Sequence, residues 1–139
     1  IDEARLDLRA WTRGYAGHLA TFDEIDVALD CFPYPGMTTT LEALLMGVPV
    51  VTRRGTSFVS RLGETIARTV GHPEWIARDD DDYVAIARDL AGDPARLAAL
   101  KANLRGTLLA SPFGDPKAFT RSLEAAFRQA WRRRCARQG

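Results

Sequence analysis

The 139-residue chain is short of the features that most directly betray a chemistry. It has two cysteines, Cys31 and Cys135, far apart and without metal-ligand spacing. A disulfide framework is therefore not expected, and a reducing compartment is the simpler setting. The two histidines, His18 and His72, complete no metal constellation with them. No apolar run is long enough to span a bilayer, and no secretory leader is read at the start. Together these give a cytoplasmic location as the expectation. The formal net charge is +1, so there is no global argument for nucleic acid or an anionic membrane surface as a partner. Gly-x-Gly-x-x-Gly and the Walker lysine are both missing, which removes a dinucleotide or ATP cradle. No Ser-His-Asp or Cys-His arrangement can be read, and no pair of carboxylates stands out as acid and base. The sequence opens on Ile1 rather than Met, so a piece of a longer protein is expected.

What is present suits a packed domain: 46% hydrophobic and 27% charged residues. The charge that exists is clustered. Asp79 to Asp82 is an acidic run, and Arg132, Arg133, Arg134 and Arg137 make a basic end. Acid at a helix start and base at a helix end suit the macrodipole, so both read as solvated termini.

Apolar periodicity divides the chain into alternating strands and helices. Leu6 to Trp11 alternates and reads as a first strand. Tyr15 to about Asp23 reads as a helix with Tyr15, Leu19 and Phe22 on one side. Ile25 to Leu29 is a second strand. Cys31 to Gly36 carries Pro33, Pro35 and Gly36 and cannot be regular. Thr38 to Met46 is a helix that Gly47 stops. Pro49 to Thr52 is a third strand. Phe58 to Val70 is helical through Val59, Leu62, Ile66 and Val70, and Trp75 to Ala77 is a fourth, very short strand. Three helices close the chain: Asp80 to Ala91, one from Asp93-Pro94 and one from Asp115-Pro116. In the last two, Asp caps and Pro takes the first helical position. The second carries Leu97, Leu100, Leu104 and Leu108, and the third carries Phe119, Leu123, Phe127 and Trp131. The expected fold is α/β: a Rossmann-like, three-layer parallel sheet of three to four short strands with flanking helices. One domain over 1–139 is expected, with an α/β part to about 78 and helices from about 79 to 138.

The chemistry-bearing stretch is Gly36-Met37-Thr38-Thr39-Thr40-Leu41-Glu42, at a helix start that follows a strand and a Pro-rich loop. In a parallel sheet, backbone N–H groups and hydroxyls converge there and the helix dipole favours an anion. Two readings stay open from spacing alone. Thr38 is an N-cap with its neighbours bonding locally, or the threonines hold a phosphate. Glu42, one turn further, either reaches back to the helix N-terminus or accepts from a ribose hydroxyl. His18 is either a lone, partly exposed histidine or an imidazole beside a base or phosphate on the same sheet edge. His72, between Gly71 and Pro73, reads as a turn residue.

Further segments carry a resemblance: His18-Leu19, Asp26-Val27-Ala28-Leu29-Asp30, Phe32-Pro33-Tyr34, Gly36-Met37-Thr38-Thr39-Thr40, Gly47-Val48-Pro49-Val50-Val51-Thr52 and Ser60-Arg61-Leu62-Gly63. With Tyr83-Val84, Ser111-Pro112 and Phe127 to Trp131, they make the chain resemble the C-terminal catalytic lobe of the O-linked N-acetylglucosamine transferase family, bacterial and Spindly-like members included. The resemblance runs in order over almost the whole chain. It implies part of the C-terminal lobe of a two-lobed GT-B glycosyltransferase, an inverting enzyme passing a sugar from a nucleotide donor, most often UDP-GlcNAc, to Ser or Thr of acceptor proteins. By the same resemblance Thr38 and Thr39 hold the diphosphate beside Gly36 and Met37. Glu42 contacts the ribose, His18 lies near uridine and diphosphate, and Arg13 and Tyr15 border the uracil. No metal cofactor is implied. The family's lysine for the leaving diphosphate, its N-terminal lobe and its tetratricopeptide repeats lie upstream, so residues 1–139 hold no catalytic residue and are expected to be inactive alone. Met37 stands where animal members carry histidine, Glu42 replaces aspartate, and Gly55-Thr56-Ser57 replaces Gly-Glu-Thr. Related branches use UDP-glucose or GDP-fucose. The competing expectation is a non-catalytic helical module that docks a partner through Phe119, Leu123, Phe127 and Trp131.

Overall fold

A computed structural model describes residues 2–10 and 12–137. Three strands, β1 (Ala28–Leu29), β2 (Val50–Arg53) and β3 (Ile76–Ala77), form one sheet in the order β1-β2-β3. Both pairings are parallel, with Ala28 opposite Val50 and Thr52 opposite Ile76. Helix α2 (Thr38–Leu45) connects β1 to β2, and α3 (Leu62–Thr69) connects β2 to β3. Parallel neighbours need such crossovers because no short turn can reverse the chain twice. Helix α1 (Tyr15–Ala20) precedes the sheet and runs into a 3-10 turn, Thr21–Glu24. Helices α4 (Asp80–Ala91), α5 (Pro94–Ala110) and α6 (Pro116–Ala136) follow it.

β2 is central, paired on both edges and covered by helices, so its residues are largely shielded from solvent. Val50, Val51 and Thr52 are all buried. Against them pack α3 and α4 from the neighbouring helices, while α5 lies on α2 and α4. The core unites Phe22, Leu44, Val48, Val51, Ile66, Trp75, Leu90, Leu104 and Leu108. The Asp-Pro starts of α5 and α6 behave as expected: Asp93 accepts from the Arg96 amide at 2.9 Å and Asp115 from the Ala118 amide at 2.8 Å. Asp79 caps α4 through the Asp82 amide at 2.8 Å, which puts Asp80 to Asp82 in a first turn where the dipole favours them.

Several elements are shorter than their apolar patterns. Of the strand expected over Leu6 to Trp11, Trp11 lies outside the described residues. Residues 6–10 are irregular and pair with no strand, and Leu8 is 90% exposed. Alternation supplies a face, but a strand also needs a neighbour to take its N–H and C=O groups. Ile25 to Val27 likewise stay outside β1, whose pairing starts at Ala28 opposite Val50. The helix expected from Phe58 begins as a 3-10 turn, Val59–Arg61, and becomes α-helical at Leu62.

Helix α6 contrasts with the rest: Phe119, Leu123, Phe127 and Trp131 are 64%, 42%, 66% and 66% exposed. Truncation in the core and on α6 should therefore separate cleanly. Leu44→Ala, at a residue 2% exposed, should lower unfolding free energy by about 2–5 kcal/mol in urea melts. Phe127→Ala should change it by no more than about 0.5 kcal/mol, as exposed substitutions do.

Candidate functional site

The loop after β1 descends to the start of α2 at the C-terminal edge of the sheet, the edge at which α/β folds hold ligands. A cavity of about 560 Å³ opens there. Its walls include Phe22, Asp30, Tyr34, Gly36 and Met37 to Thr40. Met37, not Thr38, is the N-cap of α2, and no side chain caps it. The capping expectation for Thr38 is thereby overturned: Thr38 is the first helical residue, past the position from which a hydroxyl can bond the first-turn amides. Glu42 does not reach back to that terminus either. The first-turn N–H groups and the exposed Thr38 and Thr39 thus stand at the cavity, with the positive end of the helix dipole behind them.

Glu42 is instead buried and paired. Its Oε2 lies 2.9 Å from Nε2 of His18. A carboxylate only accepts, so Nε2 carries the hydrogen and donates. The bond ties α1 to the second turn of α2. The His18 ring stands edge-on to Phe22, with centroids 5.5 Å apart. Phe22 faces the threonine cavity, whereas His18 lines a second one of about 670 Å³ with Arg9, Thr12, Thr21 and Glu24. The His18–Phe22 pair therefore separates two spaces, one at the helix terminus and one beside α1. Arg13 and Tyr15 are exposed at the start of α1, Tyr15 by 62%, and the structure brings neither into the linings of these cavities. No cluster of His, Cys, Asp and Glu among the described residues could hold a metal ion.

Pattern reading did not single out Asp30 as a site residue. Its Oδ1 accepts from the Gly36 amide at 2.7 Å and its Oδ2 from the Thr52 hydroxyl at 2.9 Å. Its carbonyl accepts from the Tyr83 hydroxyl at 2.8 Å. Burial pushes the Asp30 carboxyl above its ordinary range, and the donors of Gly36, Thr52 and Cys31 only partly oppose it. Burial, with the charge of Asp30 and Cys31, pushes the Tyr83 phenol up to about 12. The glycines around this carboxylate are sterically required. A Cβ on Gly36 would stand 2.5 Å from Thr39 Oγ1 and 2.8 Å from Thr40 Oγ1, and one on Gly63 would collide with Thr52 and lie 2.7 Å from Asp30 Oδ2.

A family model described as glycosyl transferase family 41 matches residues 16–123. The chain belongs to this family. It is 39% identical over 135 residues to a rice (Oryza sativa subsp. japonica) protein described as a probable UDP-N-acetylglucosamine–peptide N-acetylglucosaminyltransferase SPINDLY. That match covers 97% of this chain and 15% of the rice protein. A Petunia hybrida protein of the same description is 42% identical, with 97% of this chain and 14% of its own length covered. Among solved structures, a lysine-to-methionine mutant of the Thermobaculum terrenum O-GlcNAc transferase superposes with a TM-score of 0.84 at 41% identity, over 91% of this chain and 24% of that one. The chain thus spans about a seventh of the plant relatives it matches. The α/β fold, with three parallel strands and six α-helices among the described residues, matches part of an O-GlcNAc transferase catalytic lobe. In family 41 terms, the structure gathers Gly36, Met37, Thr38 and Thr39 at one cavity and joins His18 to Glu42 beside it.

Because burial raises the folded-state pKa of Asp30 above its ordinary 3.8, the native chain binds that proton more tightly than the unfolded chain. Its contribution to stability is complete below the unfolded value and is lost as pH rises through the folded one. Asp30→Asn keeps an acceptor for Gly36 but does not titrate. Its stability relative to the parent chain should therefore increase with pH from about 4 upward and then level off, as read from urea melts across pH.

Proposed function

We propose that this chain is the nucleotide-diphosphate-holding part of a protein O-GlcNAc transferase of family 41, a glycosyltransferase that uses UDP-GlcNAc and passes the sugar with inversion to Ser or Thr of acceptor proteins. The observation that carries the reading is the uncapped first turn of α2, opening with Thr38 and Thr39 onto the cavity at the C-terminal edge of the sheet. Its volume lies within the range of ligand sites. Charge builds on the diphosphate as the sugar leaves, and fixed N–H dipoles at a helix N-terminus stabilise such charge without having to reorient. Thr38 and Thr39 add hydroxyl donors, and Gly36 keeps the approach open. The His18–Glu42 pair borders the nucleoside side: with Oε2 held by His18, Oε1 of Glu42 is left for a ribose hydroxyl. Arg13 and Tyr15 border the base once the donor is bound. The cradle needs no metal from this chain, because helix dipole and hydroxyls supply the positive potential.

The catalytic lysine, the N-terminal lobe and the repeat domain that receives acceptor proteins come from outside these residues, and the 139-residue chain forms one nucleotide-binding unit that does not transfer sugar alone. The exposed stripe of α6 (Phe119, Leu123, Phe127 and Trp131) packs on the N-terminal lobe. The setting is cytoplasmic, with nucleotide sugar and protein acceptors as partners and neither nucleic acid nor membrane among them. Among the described residues, no helix is long and apolar enough to cross a membrane.

The exposed stripe also supports a second reading, a module that docks a partner through α6 and has no donor site. The two readings separate by calorimetry on the full-length protein. A donor site predicts UDP binding that Thr38→Ala and Thr39→Ala each weaken by about 1.5–3 kcal/mol, the range for hydrogen bonds to charged groups. If neither substitution changes UDP binding, or UDP does not bind, the module reading takes its place. Gly36→Ala should weaken UDP at least as much as either threonine change, because the added methyl occupies the space against Thr39 and Thr40.

A further inference from the structure

The loop between β1 and α2 has few means of holding its own shape. Pro33 and Pro35 have no N–H, and among the described residues none of residues 31–36 makes a backbone–backbone hydrogen bond. The loop's shape nevertheless decides where the first turn of α2 presents its free donors. The group that spans it is the carboxylate of Asp30, which leaves the end of β1 and accepts from the Gly36 amide six residues later at 2.7 Å. The other oxygen is held by Thr52 on the central strand at 2.9 Å, so the loop is tied to the most buried part of the sheet. Tyr83 of α4 fixes the Asp30 carbonyl at 2.8 Å. A half-buried carboxylate beside an anion site is otherwise unfavourable, since burial raises its energy and a like charge nearby raises it further.

We propose that Asp30 is a positioning residue for the donor site: by fastening the Gly36 amide to Thr52 of the sheet, it sets the placement of the α2 N-terminus that receives the diphosphate. The proposal rests on the donor-site reading above. Although Asp30 borders the cavity, an ionised carboxylate offers a diphosphate no donor. The Asp30 side chain acts through Gly36 and the α2 terminus.

The test is UDP calorimetry on the full-length protein and its variants, each well below its unfolding midpoint so that partial unfolding does not reduce the apparent affinity. Asp30→Ala leaves the Gly36 amide without its acceptor and should weaken UDP at least ~10-fold, the scale of a lost charge-assisted bond. Asp30→Asn can accept from Gly36 through its oxygen and meet the Thr52 hydroxyl with its amide, so it should bind UDP within ~3-fold of the parent. A purely structural carboxylate would not show this split at full folding. Thr52→Val, which frees one end of the tie, should also weaken UDP, and it carries the test if Asp30→Ala does not fold. Unchanged affinity in Asp30→Ala or, failing that variant, in Thr52→Val overturns the proposal while leaving the donor site intact, provided Thr38→Ala still weakens UDP. Absence of UDP binding in the parent protein overturns the donor site and the proposal together.

Discussion

The 2.7 Å hydrogen bond from the Gly36 amide to Asp30 Oδ1 closes the loop that leads into α2, where two prolines supply no backbone donors. A parallel sheet delivers β1 and β2 to the same edge, so the side chain at the end of one can be held by a residue of the other. Asp30 and Thr52 stand in that relation. No side chain caps the first turn of α2, so its first N–H groups have no partner within the helix. An uncapped helix start is ordinarily a defect of about 1 kcal/mol. Here the uncapped start borders a cavity, and the anion site proposed above rests on that.

The second tie, His18 to Glu42 at 2.9 Å, holds a different part of α2. It joins α1, which lies before the sheet, to the second turn of α2, and the edge contact with Phe22 fixes the ring between two cavities. A ligand that filled both spaces would have its charged part at the threonines and its flatter part beside α1, the division a nucleoside diphosphate requires. The fold thus puts in different cavities residues that the family resemblance groups together: Thr38 and Thr39 line one and His18 lines the other.

Much of the architecture was legible because it depends on local signals. The Asp-Pro starts of α5 and α6 and the glycine at 47 with φ 84° are each specified within a few residues, and each appears where the pattern puts it. Strand lengths were not legible, because a strand ends where its partner ends. Ile25 to Val27 have the right pattern but no pairing, and Leu6 to Ala10 have none. The threonine cluster and its loop could be found from spacing, but the absence of a cap could not, since it depends on Met37 taking the N-cap position. Asp30 was hidden for a similar reason. Its partners Gly36, Thr52 and Tyr83 come from three segments, and only the folded sheet edge brings them together.

If the start of α2 receives a nucleoside diphosphate, an amide map should report it. The isotope-labelled chain would be titrated with UDP and, in parallel, with GDP. The account predicts shifts concentrated at Gly36 to Glu42 and around His18, larger for UDP than for GDP. Shifts elsewhere on the chain with residues 36–42 unmoved, or no shift there when the full-length protein is titrated with millimolar nucleotide, would contradict it.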